Sequence, residues 1–441
     1  MVTITKSIIY SFLLLAVSIA ACNASTAFLQ SSPTSPTFTP QATKLVNEKS
    51  LPNFLAFGRK GDIWVKPVPD GNEVQLTQDG QNYYPSWSYR ADFLLVWKGE
   101  QESIQFNSST RPWIIRRDGT ESFPVAEEAV NGAIWSPVSN TLAYGTDQGI
   151  WILDVNTKKP DQLITFSPDE RLNPYPVGLV WSPDGQWLYF TRQQVEPEYD
   201  YQGLWRVKLS DKNSSELFSF PNPQENQVRL ASISPDGIQV VFWHGEHNSE
   251  SIAADGLSLE GITIITQTRQ TLLDSMLNYP EFLTWSPNGH RLLVVSGNNR
   301  YTWTNKQLAL IDEQDQSINI NLSNPNQADI LPTWSPDAQK IAYVSAPDEA
   351  KEDNMGDEAL TKRRIWTMFS DGSNKQQLTN DPTYRDERPL WSSDGQRILF
   401  VRMKQDQAEI WIMQADGSKP QKVVSDLLIG ADGQVNEFYG R

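Results

Sequence analysis

Apolar residues along this chain come in short runs, and Ser-Pro-Asp-Gly or Asp-Gly turns break them at close intervals. The stretch from Leu331 to Tyr343 shows the unit. A run ending in Trp334 leads into Ser-Pro-Asp, and a second run, Ile341-Ala342-Tyr343, follows. The phrase recurs about every 50 residues, anchored on Trp87, Trp135, Trp181, Ile233, Trp285, Trp334 and Trp391. Each unit goes on to a third apolar run, such as Ile150 to Val155 or Glu409 to Gln414. Many then turn at Asp-Gly into a fourth, such as Lys375 to Thr379. Runs this short, punctuated by residues that accept turn geometry, predict strands. A meander of four strands leaves both its faces apolar, so the units must stack. That predicts an all-β fold, a β-propeller.

The blade count follows from strand arithmetic. Before the first Trp unit, runs at Phe54, Asp62 and Glu73 read as strands two to four of a blade lacking its first strand. At the other end, Leu427 to Phe438 aligns with Pro389 to Phe400: Ile429 takes the Trp place, and Asp432, Gly433, Gln434 and Phe438 match. The C-terminal tail is therefore expected to close the ring against the N-terminal blade. Eight four-stranded blades are expected, seven being the alternative if one unit is degenerate. In outline the repeat, xPxWSPDGxxIAF followed by IWxxxxDGxxxxLT, resembles that of TolB-like propellers, related to WD-type repeats, over residues 51–441. The resemblance implies a propeller acting outside the cytoplasm through contacts with envelope proteins, from which this chain departs in an expected lipid anchor of its own and in having more blades. It departs further in showing a short tether where TolB carries an α/β domain.

The first residues change the picture of where the protein works. Ile8 to Ala21 is a mostly apolar stretch, too short for a comfortable bilayer span and of the size of a secretory signal. It ends in Ile-Ala-Ala-Cys, and Cys22 is the single cysteine of the chain. The arrangement resembles a bacterial lipoprotein signal. Residues 1–21 are thus expected to be a signal peptide, Cys22 the lipidation site, 22–50 a Ser/Thr/Pro tether, and 51–441 the propeller. The expected location is the bacterial envelope, with lipid on Cys22 as the membrane anchor. With Cys22 acylated, no disulfide or thiolate chemistry remains. A formal net charge of -16 argues against nucleic acid as a partner.

Candidate chemistry concentrates on one face. First-to-second and third-to-fourth turns are short and stereotyped. The opposite face carries irregular loops, Trp97 to Pro112, Gln193 to Gly203 and Ala346 to Arg364. Variable loops on a rigid scaffold are the usual home of binding residues. Inter-blade connections place Tyr83, Tyr84, Tyr175, Tyr279 and Tyr384 where they either ring the channel mouth or pack against the next blade. Arg385 and Arg388 lie beside Tyr384 and suit an anion. His244, Glu246 and His247 form a weak metal candidate, while His290 is expected in a turn on the other face. The acidic run Asp348 to Glu358 lacks the ligand spacing of a calcium loop. No GxSxG elbow, phosphate loop or HExxH is present.

From these residues the expected function is a lipid-anchored, monomeric, non-catalytic envelope protein whose loop face binds a protein partner, with no cofactor. A ligand-sensing lipoprotein using the Tyr-rich mouth is the alternative, and a propeller hydrolase or lyase a further one. A hydrolase domain, as in prolyl-oligopeptidase-type peptidases, is not expected after the ring.

Overall fold

The computed structural model describes residues 54–99, 111–173, 177–194, 202–221, 226–246, 256–312, 317–348, 356–405 and 407–428. Eight antiparallel sheets succeed one another along it. Blade 1 is Phe54–Arg59, Asp62–Pro67 and Val74–Gln75, three described strands. Blades 2, 3 and 5 to 8 each have four strands, as in blade 7 (Gln327–Trp334, Lys340–Pro347, Arg364–Phe369, Gln376–Gln377) and blade 8 (Arg385–Trp391, Arg397–Lys404, Gln407–Gln414, Gln421–Leu428). In blade 4 two short segments, Glu170–Leu172 and Leu179–Trp181, share the first place, both paired with Trp187–Gln194. Helix among the described residues is confined to Gly356–Thr361 and a 3-10 turn at Pro280–Phe282. The chain is an eight-bladed all-β propeller.

The repeated phrase works as a hinge within a blade and a latch between blades. Within the turn, Ser392 Oγ donates to Asp394 Oδ1 at 2.5 Å and accepts the Arg397 amide at 2.9 Å, while Asp394 Oδ1 accepts the Gln396 amide at 3.0 Å. Ser335 and Asp337 repeat the arrangement in blade 7. Gly185, Gly237 and Gly395 take φ of +68°, +73° and +68° there, the left-handed region that glycine enters without a Cβ clash.

Between blades, the motif Trp donates its indole N–H to the carbonyl just before the preceding blade's own Trp. Trp135 reaches Ser86 O (3.1 Å), Trp181 Ile134 O (3.2 Å), Trp334 Thr284 O (3.1 Å) and Trp391 Thr333 O (3.3 Å). One ring thus fills an inter-blade space and ties two inner strands, the hydrogen bond adding about 1 kcal/mol to the area it buries. At blade 5 the latch is interrupted, because Ile233 has no N–H to give and the Trp285 Nε1 has no hydrogen-bond partner.

Blade 1 meets blade 8 directly. Leu55 and Phe57 pack among Val401, Met403, Ile410 and Val424. Arg59 Nε and Nη2 donate to Ser425 O at 3.2 and 3.0 Å, and Lys66 Nζ donates to Val423 O at 2.8 Å. The tail segment aligned with the Trp phrase, 429–438, lies outside the described residues, as do the leader, Cys22 and the tether.

Candidate binding site at the channel mouth

First strands line the ring's axis. On the turn side, Trp285, Trp334, Trp391 and Leu390 border a largely apolar cavity of about 550 Å³ together with Phe54 and Leu55 of blade 1. On the loop side, the same strands change character. In blades 2, 7 and 8 the register slips between Tyr83 and Ser86, Ile330 and Thr333, and Glu387 and Leu390. Each bulge holds an X-Pro pair whose first residue is left-handed: Tyr84 (φ 51°), Leu331 (φ 51°) and Arg388 (φ 52°). A residue before proline is ordinarily extended, so three instances at one structural position are strained backbone held by its surroundings. Bulges of this kind re-aim side chains and concentrate beside functional sites.

Blade 8 supplies the charge. Glu387 is 1% exposed and Asp386 fully buried. Arg363 Nη1 donates to Glu387 Oε1 at 2.5 Å, and Arg385 Nε lies 3.2 Å from the same oxygen. Burial by itself would raise the Glu387 carboxyl; the Arg363 and Arg385 guanidiniums, with Arg388 behind them, hold it below the ordinary carboxylate range. Arg363 is fixed in turn by Thr302, through O at 3.1 Å and Oγ1 at 2.6 Å. Asp386 accepts a forked pair from Arg402, at 2.7 and 3.0 Å. Four arginines, Arg363, Arg385, Arg388 and Arg402, thus gather about two buried carboxylates, Asp386 and Glu387.

The residues singled out from the sequence separate accordingly. Tyr84 and Arg388 occupy the strained mouth positions, and Arg385 belongs to the Glu387 cluster. Tyr384 packs at the edge of the same blade, with Arg402 5.0 Å and Lys404 5.6 Å from its ring centre. Tyr83 is buried, 6% exposed, and Tyr279 packs edge-on against Phe282 at 5.2 Å. Tyr279 also packs against the core of blades 5 to 8. Tyr175 and His247 lie outside the described residues, as does the side chain of Glu246. His244 stacks on Phe220 at 4.1 Å, and its Nδ1 is 3.1 Å from Glu260 Oε1. His290 sits in the turn before Arg291–Ser296, 3.9 Å from Asp236. Among the described residues no group of three or more His, Cys, Asp or Glu could hold a metal ion. Sequence reading missed Arg363, Asp386 and Glu387. The available signal was the register of Asp386-Glu387 with Asp329-Ile330 one blade earlier, which puts charges at buried strand positions.

No protein-family model matches this chain. A curated relative, the uncharacterised peptidase YuxL of Bacillus subtilis, is 36% identical over 70 residues, 16% of this chain and 9% of that protein. The dipeptidyl peptidase 4 of Porphyromonas gingivalis overlays 83% of this chain at 14% identity, TM-score 0.60. A prolyl endopeptidase structure overlays 78% at 7% identity, TM-score 0.52. This chain spans 56% and 50% of those two peptidase chains. An oligogalacturonate lyase in complex with manganese overlays 85% of this chain and 97% of its own, at 15% identity and TM-score 0.50. These findings overturn the expectation of a non-catalytic, partner-binding platform: a peptidase supplies the sequence match, and these overlaid propellers belong to enzymes. The expected eight-bladed all-β ring is what the eight successive sheets form.

Proposed function

We propose that this propeller belongs to a peptide-processing enzyme of the peptidase type and admits substrate through its loop-side mouth. The observation that carries the reading is the 36%-identical stretch shared with a peptidase. The overlay on a dipeptidyl peptidase agrees with it. In this reading Tyr84 and Arg388, presented by the strained bulges, meet the passing peptide, and the Arg363–Glu387–Arg385 cluster keeps the mouth rigid. Peptide carbonyls and terminal carboxylates are the groups that such arginines attract. The residue that performs bond cleavage is not assigned, since no nucleophile elbow occurs in the sequence. Export and anchoring through Cys22 are part of the same proposal, supported by the Ile-Ala-Ala-Cys leader.

The test is mass spectrometry of a defined peptide mixture incubated with the full chain, with an oligogalacturonate and manganese sample run in parallel. Trimmed peptides, with KM raised several-fold in Tyr84→Ala and Arg388→Ala, are expected. Unsaturated uronide products with intact peptides would move the protein to the lyases and sink the peptidase reading.

A further inference from the structure

Four blades share a construction from which blades 3 and 7 depart while keeping its Trp. In the four, two places beyond the second-strand residue that opposes the third-strand Trp stands a cation lying on that Trp. Blade 3 has Thr146 at this position, its hydroxyl accepting the Trp151 indole N–H at 3.2 Å, and blade 7 has Ser345. The pairs are Arg59 on Trp64 (5.0 Å), Lys98 on Trp113 (4.3 Å), Arg192 on Trp205 (5.0 Å) and Arg402 on Trp411 (4.8 Å). Each cation also has a carboxylate, respectively Glu73, Asp79, Glu170 and Asp386. Cation and aromatic face attract, and burial makes the contact worth more than at the surface.

Blade 7 keeps the Trp and the carboxylate. Trp366 opposes Tyr343, and Asp329 stands opposite the second-strand position as Asp386 stands opposite Arg402. At that position, however, is Ser345. Two further exchanges accompany it: Arg364 where blade 8 has Glu409, and Gln377 where blade 8 has Lys422. The shorter side chain leaves a cavity of about 340 Å³, bordered by Ser345, Trp366, Arg364, Lys362, Gln327 and Gln377, with Asn380 at its edge.

The chemistry of the wall differs from that of the sister blades. Asp329 is 2% exposed and is not part of the wall. Among the described residues no carboxylate lines the cavity, whereas two cations do. Arg364 Nη1 donates to the backbone oxygens of Thr361 (2.8 Å) and Arg363 (2.6 Å), and the guanidinium makes no ion pair with a described residue. Burial lowers its pKa, the mark of a charge with too little compensation. Lys362 shares Glu358 at 3.5 Å on the outer side. Among the described residues no cation lies on the face of the half-buried Trp366, and three amides, Gln327, Gln377 and Asn380, line the same cavity.

An Arg fork beside a Lys recognises a carboxylate. A half-buried indole offers a flat apolar platform. Several amides around it suit a ring carrying hydroxyl groups, and the volume lies in the range of small-ligand sites. We propose that this cavity binds a carboxylated sugar of the uronic-acid type, its carboxylate on Arg364 and Lys362, its ring on Trp366 and its hydroxyls on the amides. A peptide carboxylate matches the cations as well; the flat indole platform favours a hydroxylated ring over an extended chain. The site neighbours the Leu331 bulge and Arg363, but Tyr84, Arg388, Arg363 and Glu387 do not line it, so it is tested separately from the peptidase reading.

Calorimetric titration of the full chain tests it, using sodium D-galacturonate and sodium D-glucuronate as probes. D-Galactose, D-glucose and an acetylated dipeptide with a free C-terminal carboxylate are the comparisons. Saturable uronate binding is expected, at least tenfold tighter than for the neutral sugars or the dipeptide. Arg364→Gln is expected to weaken it at least tenfold. Ser345→Arg refills the void with the cation that the sister blades carry, so it is expected to abolish binding without lowering Tm. Equal binding of neutral and acidic sugars, uronate binding that survives both variants, or no saturable binding overturns the proposal. Tighter binding of the dipeptide than of either uronate also overturns it and gives the cavity to peptide. Peptide trimming by Ser345→Arg and Arg364→Gln is read separately, so either idea can fail alone.

Discussion

Arg402 and Asp386 show how much a single residue pair decides in this ring. Arg402 is 7% exposed and Asp386 fully buried, the guanidinium forked on the carboxylate and lying between the rings of Phe400 and Trp411. A buried pair adds little net stability over an apolar pair, but deleting one partner strands the other in a medium that cannot solvate it. Arg402→Met is therefore expected to cost about 3–5 kcal/mol in denaturant unfolding, and Asp386→Leu a similar amount. The double variant is expected to recover most of the loss. Additive losses would show that the two charges do not depend on each other. This layer was the least legible in the sequence. Asp386 and Glu387 stand in a charged, Pro-containing connection that reads as solvated, and their partners arrive 16 and 24 residues away. Tyr83 and Tyr279 were ambiguous for the complementary reason: a Tyr near a strand end packs or projects according to register, which a bulge alters by one place.

At the scale of the element, the Ser-x-Asp-Gly hairpin was read correctly because its demands are local. Ser, Asp and the left-handed fourth position satisfy one another within six residues. Ala338 breaks the rule, holding φ +58° where Gly395 holds +68°. Ala338→Gly removes the Cβ strain and is expected to raise stability by about 0.5–1 kcal/mol, after the entropy glycine loses on folding. The hairpins also set an acid limit. The Ser335 and Ser392 hydroxyls, then the backbone amides, hold Asp337 and Asp394 below the ordinary aspartate value. A depressed folded-state value contributes stability above the unfolded value near 3.9, and that contribution is lost as pH falls through the folded value. Blade 6 carries the natural control, since Asn288 accepts from Ser286 at 2.6 Å without a charge to lose. Asp337→Asn with Asp394→Asn is thus expected to keep the fold at pH 7 and flatten the fall of Tm below about pH 4. An unchanged acid limb would assign the loss to the buried pairs instead.

For the molecule as a whole, the propeller was legible because the repeat states it seven times over, while the function was not, because repetition reports packing and ligand chemistry sits where the repeats differ. The mouth residues and the blade 7 cavity both lie where blades differ: pre-proline bulges in three blades, and Ser345 where four blades have a cation and blade 3 has Thr146. Closure of the ring is the remaining expectation at this scale. Phe54–Arg59 pairs with Asp62–Pro67 on one side, and no other described strand pairs with it. The apolar cavity beside Phe54, Leu55 and Leu390 is continuous with that free edge. The sequence offers one occupant, the tail carrying Ile429 and the Asp432-Gly433 turn. If it supplies the first strand of blade 1, deleting residues 429–441 opens an unpaired edge and exposes Phe54 and Leu55. Tm is then expected to fall by roughly 5 °C or more, and the chain to self-associate through the new edge. Calorimetry and size-exclusion chromatography read the two effects separately. A truncated chain that stays monomeric with an unchanged Tm would mean that the packing of blade 1 on blade 8, with Arg59 and Lys66 tied to the Val423 and Ser425 carbonyls, closes the ring alone.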